Sequence, residues 1–248
     1  MLNKEDFYHQ NFYHQNIRYS FSWNYKHHKH KISILNPALY EFRKLEKYFE
    51  KIMSEKYAKR MNSIFNSKIF PRISRFKISG LKSAFIRSFS KILIQNSKVK
   101  KLDSNSKLPK YTQTVYDNFF KENLNKIPGH DPILKYILIN DNDSIAKEVP
   151  IWKKVNDIYL TGHIDLIQIE NNVLKVIDYK PEGNFLLSLP QVAMYGLLFK
   201  SIFKIKNLRC ISFNKNEAWE YDPNILKSDI KEYLISHGIQ ERPWEYFF

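Results

Sequence analysis

The stretch 158–180, IYLTGHIDLIQIENNVLKVIDYK, decides the fold class of this chain. β-Branched, aromatic and leucine residues dominate it, and β-branched and aromatic residues are enriched in strands. The polar segment Glu170-Asn171-Asn172 divides the stretch and is typical of a short hairpin turn. The pattern therefore predicts two antiparallel strands, 158–169 and 173–180, joined by that turn.

The segments on either side of this hairpin extend an α/β pattern. Asp131-Pro132 fits a helix start, because Asp is a good N-cap and Pro suits the first helical position. The predicted helices of the C-terminal half are 111–124, 132–140 and 188–203, and its further strands are 148–154 and 208–213. From residue 132 onwards the chain is thus predicted to run helix, three strands, helix, strand.

The N-terminal half is predicted to be mainly helical. Apolar residues recur at helical spacing over 37–62, and a basic segment with an imperfect apolar stripe covers 81–95. The Lys, Ser and Asn residues of 96–110 are typical of a linker. We therefore place a domain boundary there, with one domain over 1–110 and a second over 111–248.

The first segment, 1–31, is polar and aromatic and contains five of the eight histidines. Within it Phe7-Tyr8-His9-Gln10-Asn11 repeats at once as Phe12-Tyr13-His14-Gln15-Asn16. A His-rich tract is a conceivable metal site. A polar, flexible tail or a duplication without a role is the favoured interpretation.

Charge divides the chain at the same boundary. Residues 1–110 contain 24 Lys and Arg against 7 Asp and Glu, whereas residues 111–248 contain 16 against 18. A basic excess of this size attracts polyanions, chiefly nucleic acid or an anionic membrane. A Lys-rich solvated surface without a partner is the alternative, and the slightly acidic second half argues against it.

The composition excludes several classes of protein. The single cysteine, Cys210, excludes an internal disulfide, an all-cysteine zinc site and a four-cysteine iron–sulfur cluster within one chain. No run of about 18 apolar residues is present, so no transmembrane helix is expected. The N-terminal segment lacks the apolar core of a signal peptide. We therefore expect a soluble intracellular protein of the cytoplasm or nucleoid, without a membrane partner.

Acidic and basic side chains cluster at one end of the predicted hairpin. Residues i and i+2 of a strand share a face, so Asp178 projects beside Lys180, and His163 beside Asp165. Two carboxylates among apolar residues repel each other and lose hydration, and a divalent cation removes that penalty. Carboxylate oxygens suit Mg²⁺ or Mn²⁺. The spacing alone leaves open a plain Asp–Lys ion pair, which stabilises little.

Three motifs follow one another in this half of the chain. They are Gly162-His163-Ile164-Asp165, Ile177-Asp178-Tyr179-Lys180 and Gln191-Val192-Ala193-Met194-Tyr195. In this order they resemble the PD-(D/E)XK nuclease superfamily, in particular its RecB-like branch with a Q-x-x-x-Y motif. The resemblance covers about residues 111–215. It implies an α/β core with a mixed sheet flanked by helices in αβββαβ order, which agrees with the order predicted above.

The resemblance also implies roles for individual residues. Asp165 and Asp178 would bind Mg²⁺ or Mn²⁺, and the backbone carbonyl of Tyr179 often completes such a metal shell. Lys180 would be the catalytic lysine, which orients a water molecule or stabilises charge on the phosphorus. Glu148 resembles an acid often found on the first strand and is assigned to catalytic support, with a structural hydrogen bond as the alternative.

The helical motif would position a DNA strand near the scissile phosphate. Gln191 and Tyr195 are four residues apart, so both can face the same side of a helix. Each has a structural alternative, because Ser188 and Gln191 also fit a capping box and Tyr195 also fits a buried aromatic position. Gly162 fits either a bulge or a point where DNA approaches the backbone closely.

Three further residues are open candidates. His130 and Glu122 are considered for the metal ligand that this branch often carries on its first core helix. His163 either contacts metal or phosphate or is a satisfied polar residue at the sheet edge. Branch members with an iron–sulfur cluster use four cysteines, so no iron–sulfur cluster is expected here.

These features together predict a metal-dependent deoxyribonuclease that hydrolyses phosphodiester bonds. DNA is the expected partner, and residues 1–110 would contact its backbone without reading bases. The branch leans towards exonucleases and end-processing nucleases in repair, recombination or defence, and single-stranded ends are the favoured substrate. Two alternatives stay open: an endonuclease of the restriction or junction-resolving type, and a catalytically silent nucleic-acid-binding protein.

Overall fold

An eight-stranded mixed sheet spans the protein in the computed structural model, which describes residues 6–34, 40–122 and 126–248. The strands are β1 (Phe7–His14), β2 (Ile17–Asn24), β3 (Val99–Leu102), β4 (Ser144–Val155), β5 (Ile158–Glu170), β6 (Val173–Tyr179), β7 (Leu208–Phe213) and β8 (Ala218–Tyr221). Their order in the sheet is β1-β2-β4-β5-β6-β7-β8-β3. Neighbouring strands are antiparallel except β6 and β7, which are parallel.

Helices cover both faces of this sheet. They are α1 (Tyr25–Ile34), α2 (Tyr40–Met53), α3 (Glu55–Phe65), α4 (Ser83–Gln95), α5 (Lys107–Lys121), α6 (His130–Asn140), α7 (Phe185–Phe203) and α8 (Asp229–Ser236). Ile177 belongs to the apolar cluster formed with α5 and α6, whereas Val176 belongs to the cluster formed with α7. Because successive strand residues point to opposite faces, β6 is apolar on both and lies between two helical layers.

The C-terminal half runs α6, β4, β5, β6, α7, β7, and the prediction of a mixed sheet flanked by helices is confirmed. Strand β7 has the predicted bounds. Helix α7 begins at Phe185, three residues before the predicted start, because the Asn184 side chain accepts a hydrogen bond from the Leu186 N–H and caps the helix. The β6–α7–β7 crossover brings α7 against the C-terminal end of β6.

The expected flexible tail is wrong, because residues 7–24 form a hairpin that extends the sheet. Strands β1 and β2 pair along their whole length, and β2 pairs with β4. The turn residues Gln15 and Asn16 both have positive φ, at 50° and 68°, as in the two-residue type I′ turns that match strand twist. The five-residue repeat has an odd length, so it places His9 and His14 on opposite faces and gives no histidine cluster.

The predicted linker 96–110 contains a strand and the start of α5. Strand β3 pairs with β8, so residues from both sides of the proposed boundary share one sheet. The predicted helix 37–62 is two helices, α2 and α3, which separate at Ser54. Its first residues, 37–39, lie outside the described residues. The N-terminal 110 residues are therefore helices plus three strands of the common sheet.

Helix α7 is the one described helix that is long and apolar enough to cross a membrane, by length and composition only. Of its apolar window 72% is buried inside the protein. Its apolar character is explained by its position between the sheet and the surrounding helices, as in the core helix of a soluble globular protein.

A buried histidine on α1 makes the stability of the fold depend on pH. His28 is fully buried, and the Trp23 indole N–H donates to its Nδ1 over 3.0 Å. Burial lowers the pKa of His28 to about 3. The unfolded chain binds a proton at His28 below pH 6.5 and the folded chain does not, so stability is lost as the pH falls below that value.

We expect His28→Gln to remove part of this acid sensitivity. Between pH 7 and pH 5, protonation of His28 in the unfolded chain costs the wild type about 2 kcal/mol of unfolding free energy, and the variant lacks this loss. Urea titrations of both proteins at the two pH values measure it. His30→Gln, at an exposed position of the same helix, is the control and should keep the wild-type slope. Equal slopes for all three proteins would contradict the prediction.

Candidate functional site

Three neighbouring strands place three carboxylates side by side. In β4 and β5, the residues on either side of Glu148 pair with those on either side of Asp165, which places these two carboxylates opposite each other. The last β5–β6 pair, Leu166–Ile177, is adjacent to Asp165 and Asp178, so the same register continued by one residue places Asp178 on the other side of Asp165. Directly opposed residues of paired strands project from the same face of a sheet. We call Glu148, Asp165 and Asp178 the carboxylate row. Its residues are 8%, 6% and 1% exposed.

Two short turns fix this alignment. Strands β4 and β5 are joined at Asn156-Asp157, and β5 and β6 at Asn171-Asn172; all four residues have positive φ, as in type I′ turns. A two-residue turn leaves a hairpin with one register. The carboxylate row is therefore a consequence of the two turns and of the number of residues that separate each carboxylate from its turn.

Glu148 combines backbone strain with an unpaired buried oxygen. Its φ is 50°, a left-handed conformation that is uncommon for a residue with a side chain. Its Oε2 is buried and accepts no hydrogen bond from the described residues, and Nε2 of His163 lies 3.7 Å from it. Burial raises the pKa of Glu148 to about 7, with the charges of Asp131 and Asp178 adding to the effect and Lys147 opposing it. Backbone strain of this kind concentrates at functional sites.

Asp165 occupies the centre of the row. Its Oδ2 accepts a hydrogen bond from the Tyr179 backbone N–H over 2.8 Å. Burial, followed by the charges of Asp178 and Glu148, raises the pKa of Asp165 well above its usual range. Without a cation, the three carboxylates therefore do not all carry negative charge at neutral pH.

Asp178 is held by two cleft residues. Its Oδ2 lies 2.6 Å from the Lys180 ammonium, and its Oδ1 accepts from the Gln191 side-chain amide at 3.3 Å. Lys180 also donates to the Gln191 Oε1 over 3.2 Å, which closes a triangle of contacts. Burial disfavours the charged lysine, but Asp178 and Asp165 outweigh it and raise the pKa of Lys180. Lys180 is therefore a proton-bearing cation at neutral pH.

His163 adds a nitrogen to the carboxylate side of the site. One ligand atom each from Glu148, His163 and Asp165 lies within 4.8 Å of the others, a spacing that a metal ion can bridge. Burial, followed by the positive charge of neighbours such as His14 and Arg72, lowers the pKa of His163 well below its usual range. A neutral imidazole is the form that coordinates a metal ion.

The metal-binding residues predicted from the sequence therefore differ from the group of possible metal ligands that the structure brings together. Asp165 is common to both. Asp178 contacts Lys180 and Gln191, and the Tyr179 carbonyl oxygen lies 3.2 Å from Nε2 of His130. All of these groups except Tyr179 line one cleft of about 410 Å³. The donors of the grouped set, two carboxylates and an imidazole, fit Mn²⁺ as well as Mg²⁺ or better, because Mg²⁺ favours oxygen.

The capping-box alternative for Gln191 is wrong. Asn184 caps α7, and Ser188 lies inside the helix, where its hydroxyl donates to the Phe185 carbonyl. Gln191 is thus not engaged at the helix terminus, and its side chain lines the cleft.

Tyr195 lies beneath the cleft. It is fully buried, and the pocket residues do not include it. A Cβ at Gly162 would come within 2.5 Å of the Tyr195 ring carbon Cε1 and within 3.1 Å of Ile73. Gly162 pairs with Ile151 without a register shift, so it is not a bulge, and the group that approaches it is the Tyr195 ring. Tyr195 therefore occupies a core position, and its hydroxyl forms no hydrogen bond with the described residues.

The two helix candidates differ in position. His130, the first residue of α6, lines the cleft. Glu122 follows the end of α5, is exposed and is not among the cleft residues.

The N-terminal half contributes four cleft residues that the sequence did not identify. These are Tyr19, Arg72, Ser74 and Lys77. None belongs to a motif, and their only signal in the sequence was the general basic excess. A fifth N-terminal residue, His14, is buried behind the cleft, with its Nδ1 3.5 Å from that of His163.

Comparison with known proteins adds little to this description. No family model matches the chain, and no curated protein matches it. Among solved structures, the chain is similar to the crystal structure of SSO0001, with 15% sequence identity and a TM-score of 0.27, over 64% of this chain and 88% of that chain. A likeness at that TM-score carries no argument about fold or activity.

We expect Gly162→Ala to destabilise the protein. The added methyl group would collide with the Tyr195 ring inside the core, and overpacking of this kind costs about 1–3 kcal/mol. Urea unfolding measures the loss. Gly129→Ala is a matched control, since a Cβ at Gly129 meets no atom within 4 Å. Similar losses for the two variants would contradict the close packing of Tyr195 on β5.

We expect Glu148→Gln to stabilise the metal-free protein and to abolish its response to metal. In EDTA, removal of one buried charge from the row should raise the unfolding free energy by about 1–3 kcal/mol. Added Mn²⁺ should raise the melting temperature of the wild type and leave that of the variant unchanged. Differential scanning calorimetry measures both effects. Glu241→Gln, at an exposed position outside the cleft, should behave as wild type.

Proposed function

We propose that the protein is a metal-dependent nuclease with a PD-(D/E)XK core, which hydrolyses the phosphodiester bonds of DNA. The observation that carries this proposal is the carboxylate row, with Lys180 bonded to its last member inside a single cleft. The order α6, β4, β5, β6, α7, β7 supports it, because the motif resemblance implies that order.

The site fits a divalent cation on its own chemistry. Glu148 has a buried oxygen without a hydrogen-bond partner, Asp165 lies between two other carboxylates, and His163 is neutral. Glu148, His163 and Asp165 would hold the ion. When bound, a divalent cation would offset the charge of a phosphate and strengthen water as a nucleophile.

Lys180 would act as a charged donor in the reaction. An ammonium has three N–H donors, and Asp178 and Gln191 occupy two of them. The remaining N–H can bind a phosphate oxygen or the attacking water. Water would attack phosphorus in line, the opposite P–O bond would break, and the proton that the water loses would pass through solvent to the leaving oxygen. Because the pKa of Lys180 is raised, it stabilises developing negative charge and is a poor base.

Gln191 would position Lys180. Its amide donates to Asp178 while its Oε1 accepts from Lys180, so one side chain fixes both groups relative to α7. Tyr195, buried four residues further on, would support the packing of α7 on β5 and not contact the DNA strand.

DNA is the proposed substrate because two basic residues of the N-terminal half, Arg72 and Lys77, share the cleft with the carboxylates. The formal net charge of +15 favours a polyanion. Single-stranded ends, and a role in repair, recombination or defence, remain expectations that follow from the resemblance.

A cleavage assay tests the proposal. End-labelled single- and double-stranded DNA would be incubated with Mg²⁺, Mn²⁺ or EDTA. We expect cleavage with metal only, and a loss of about 100-fold or more in Asp178→Asn and in Lys180→Gln. Mononucleotide products would indicate an exonuclease, and discrete fragments an endonuclease.

Matched controls come from the β4–β5 turn. Asp157 and Lys154 form an exposed ion pair of the same two residue types as Asp178 and Lys180. Asp157→Asn and Lys154→Gln should therefore cut as the wild type does. A wild type that binds DNA but never cuts, or site variants that cut normally, would refute the proposed activity.

A further inference from the structure

Arg72 is a buried cation without an acidic partner among the described residues. It is 9% exposed, and its Nε is buried and forms no hydrogen bond with them. Its contact in the described part of the chain is a hydrogen bond from Nη2 to the Tyr19 hydroxyl at 3.3 Å, and no carboxylate pairs with it there. A guanidinium withdrawn from water without an anion is costly, so such a group indicates a missing negative partner.

The segment that carries Arg72 is fixed at both ends. Pro71 accepts hydrogen bonds from the backbone N–H and the hydroxyl of Thr161, and Arg72 forms a parallel bridge with Thr161. At the other end, the Ile78 N–H donates to the Leu187 carbonyl on α7. Segment 71–78 is therefore attached to β5 and α7, the two elements that carry Asp165 and Gln191.

The position of Arg72 relates it to the proposed chemistry. Arg72, Ser74 and Lys77 line the same cleft as the carboxylate row, and Tyr19 lies with them. The charge of Arg72 is close enough to His163 to contribute to its lowered pKa. One cleft thus combines a side that attracts cations with a side that attracts anions.

We propose that Arg72, together with Lys77, binds a backbone phosphate of the DNA strand next to the one that is hydrolysed. Arginine suits this role because its planar fork matches two phosphate oxygens, and the fixed segment spares it the ordering cost of a mobile side chain. Tyr19 and Ser74 supply hydroxyl groups beside it. The proposal rests on the proposed nuclease function for its substrate, and it adds a strand-positioning site outside the motifs.

DNA binding without metal tests this inference separately from catalysis. The affinity of a short fluorescein-labelled single strand would be measured by anisotropy in EDTA over a range of salt concentrations. We expect Arg72→Gln to weaken binding about tenfold and to lower the slope of log affinity against log salt by about one. Arg72→Lys should fall between the wild type and Arg72→Gln, because the charge remains and the fork is lost.

A neighbouring arginine provides the control. Arg75 lies three residues away, is exposed and donates to Gln15 outside the cleft. Arg75→Gln should bind within about twofold of the wild type. If it weakens binding as much as Arg72→Gln, the effect is one of general charge and the inference is overturned. It is also overturned if Arg72→Gln binds as the wild type does.

A surface variant and a stability measurement guard against misfolding. Lys77 is exposed, so Lys77→Gln should keep the wild-type melting temperature and still weaken binding about threefold or more. Normal binding by Lys77→Gln would remove Lys77 from the site. If the wild type binds DNA tightly but does not cleave it in Mn²⁺, the nuclease proposal is refuted and the phosphate site is retained. If Arg72→Gln cleaves DNA and binds it as the wild type does, the phosphate site is refuted and the nuclease proposal is retained.

Discussion

Mutual repulsion of three buried carboxylates is the constraint on which the rest of this site depends. Glu148, Asp165 and Asp178 stand in adjacent register positions, and none of them is more than 8% exposed. Such a row persists only if neighbouring groups compensate its charge. Lys180 and Gln191 compensate Asp178, and the Tyr179 N–H serves Asp165. In the described part of the chain, the Glu148 Oε2 accepts no hydrogen bond and lies 3.7 Å from Nε2 of His163, so this side of the row is compensated least.

The N-terminal half is joined closely to the sheet and completes the cleft that contains the carboxylate row. The β1–β2 hairpin supplies Tyr19 to the cleft and places His14 against His163. Segment 71–73 lies against β5 beside Thr161, on the part of that strand that extends beyond its pairing with β6. The two halves of the chain differ clearly in net charge, yet both supply residues to one cleft. The acidic side chains of this cleft come from the C-terminal half, whereas Arg72 and Lys77 come from the N-terminal half.

Much of the C-terminal half could be predicted from the sequence, because its signals are local. Alternating apolar residues and an Asn-rich turn identify β5 and β6, and the i, i+2 rule places Asp178 beside Lys180. Contacts between distant segments were beyond such reasoning. Arg72 reaches the cleft through contacts of its segment with β5 and α7, and the packing of Tyr195 against Gly162 has no local signal. The N-terminal hairpin escapes such reasoning because its five-residue repeat suggests a duplication and not a pair of strands.

The alignment of the carboxylate row could be predicted from the sequence only in part. Each of its members is separated from a two-residue turn by a fixed number of residues, and Asn156-Asp157 and Asn171-Asn172 are both typical of type I′ hairpins. Since such a turn defines the register of its hairpin, the opposition of Glu148, Asp165 and Asp178 follows from the turns once their length is known. A shift of one residue in either strand would move a carboxylate to the opposite face of the sheet. Seven residues lie between Glu148 and the Asn156-Asp157 turn in β4, and seven lie between that turn and Asp165 in β5, so the two carboxylates are equally far from the turn. The side chains that line the cleft are thus positioned by a turn outside it.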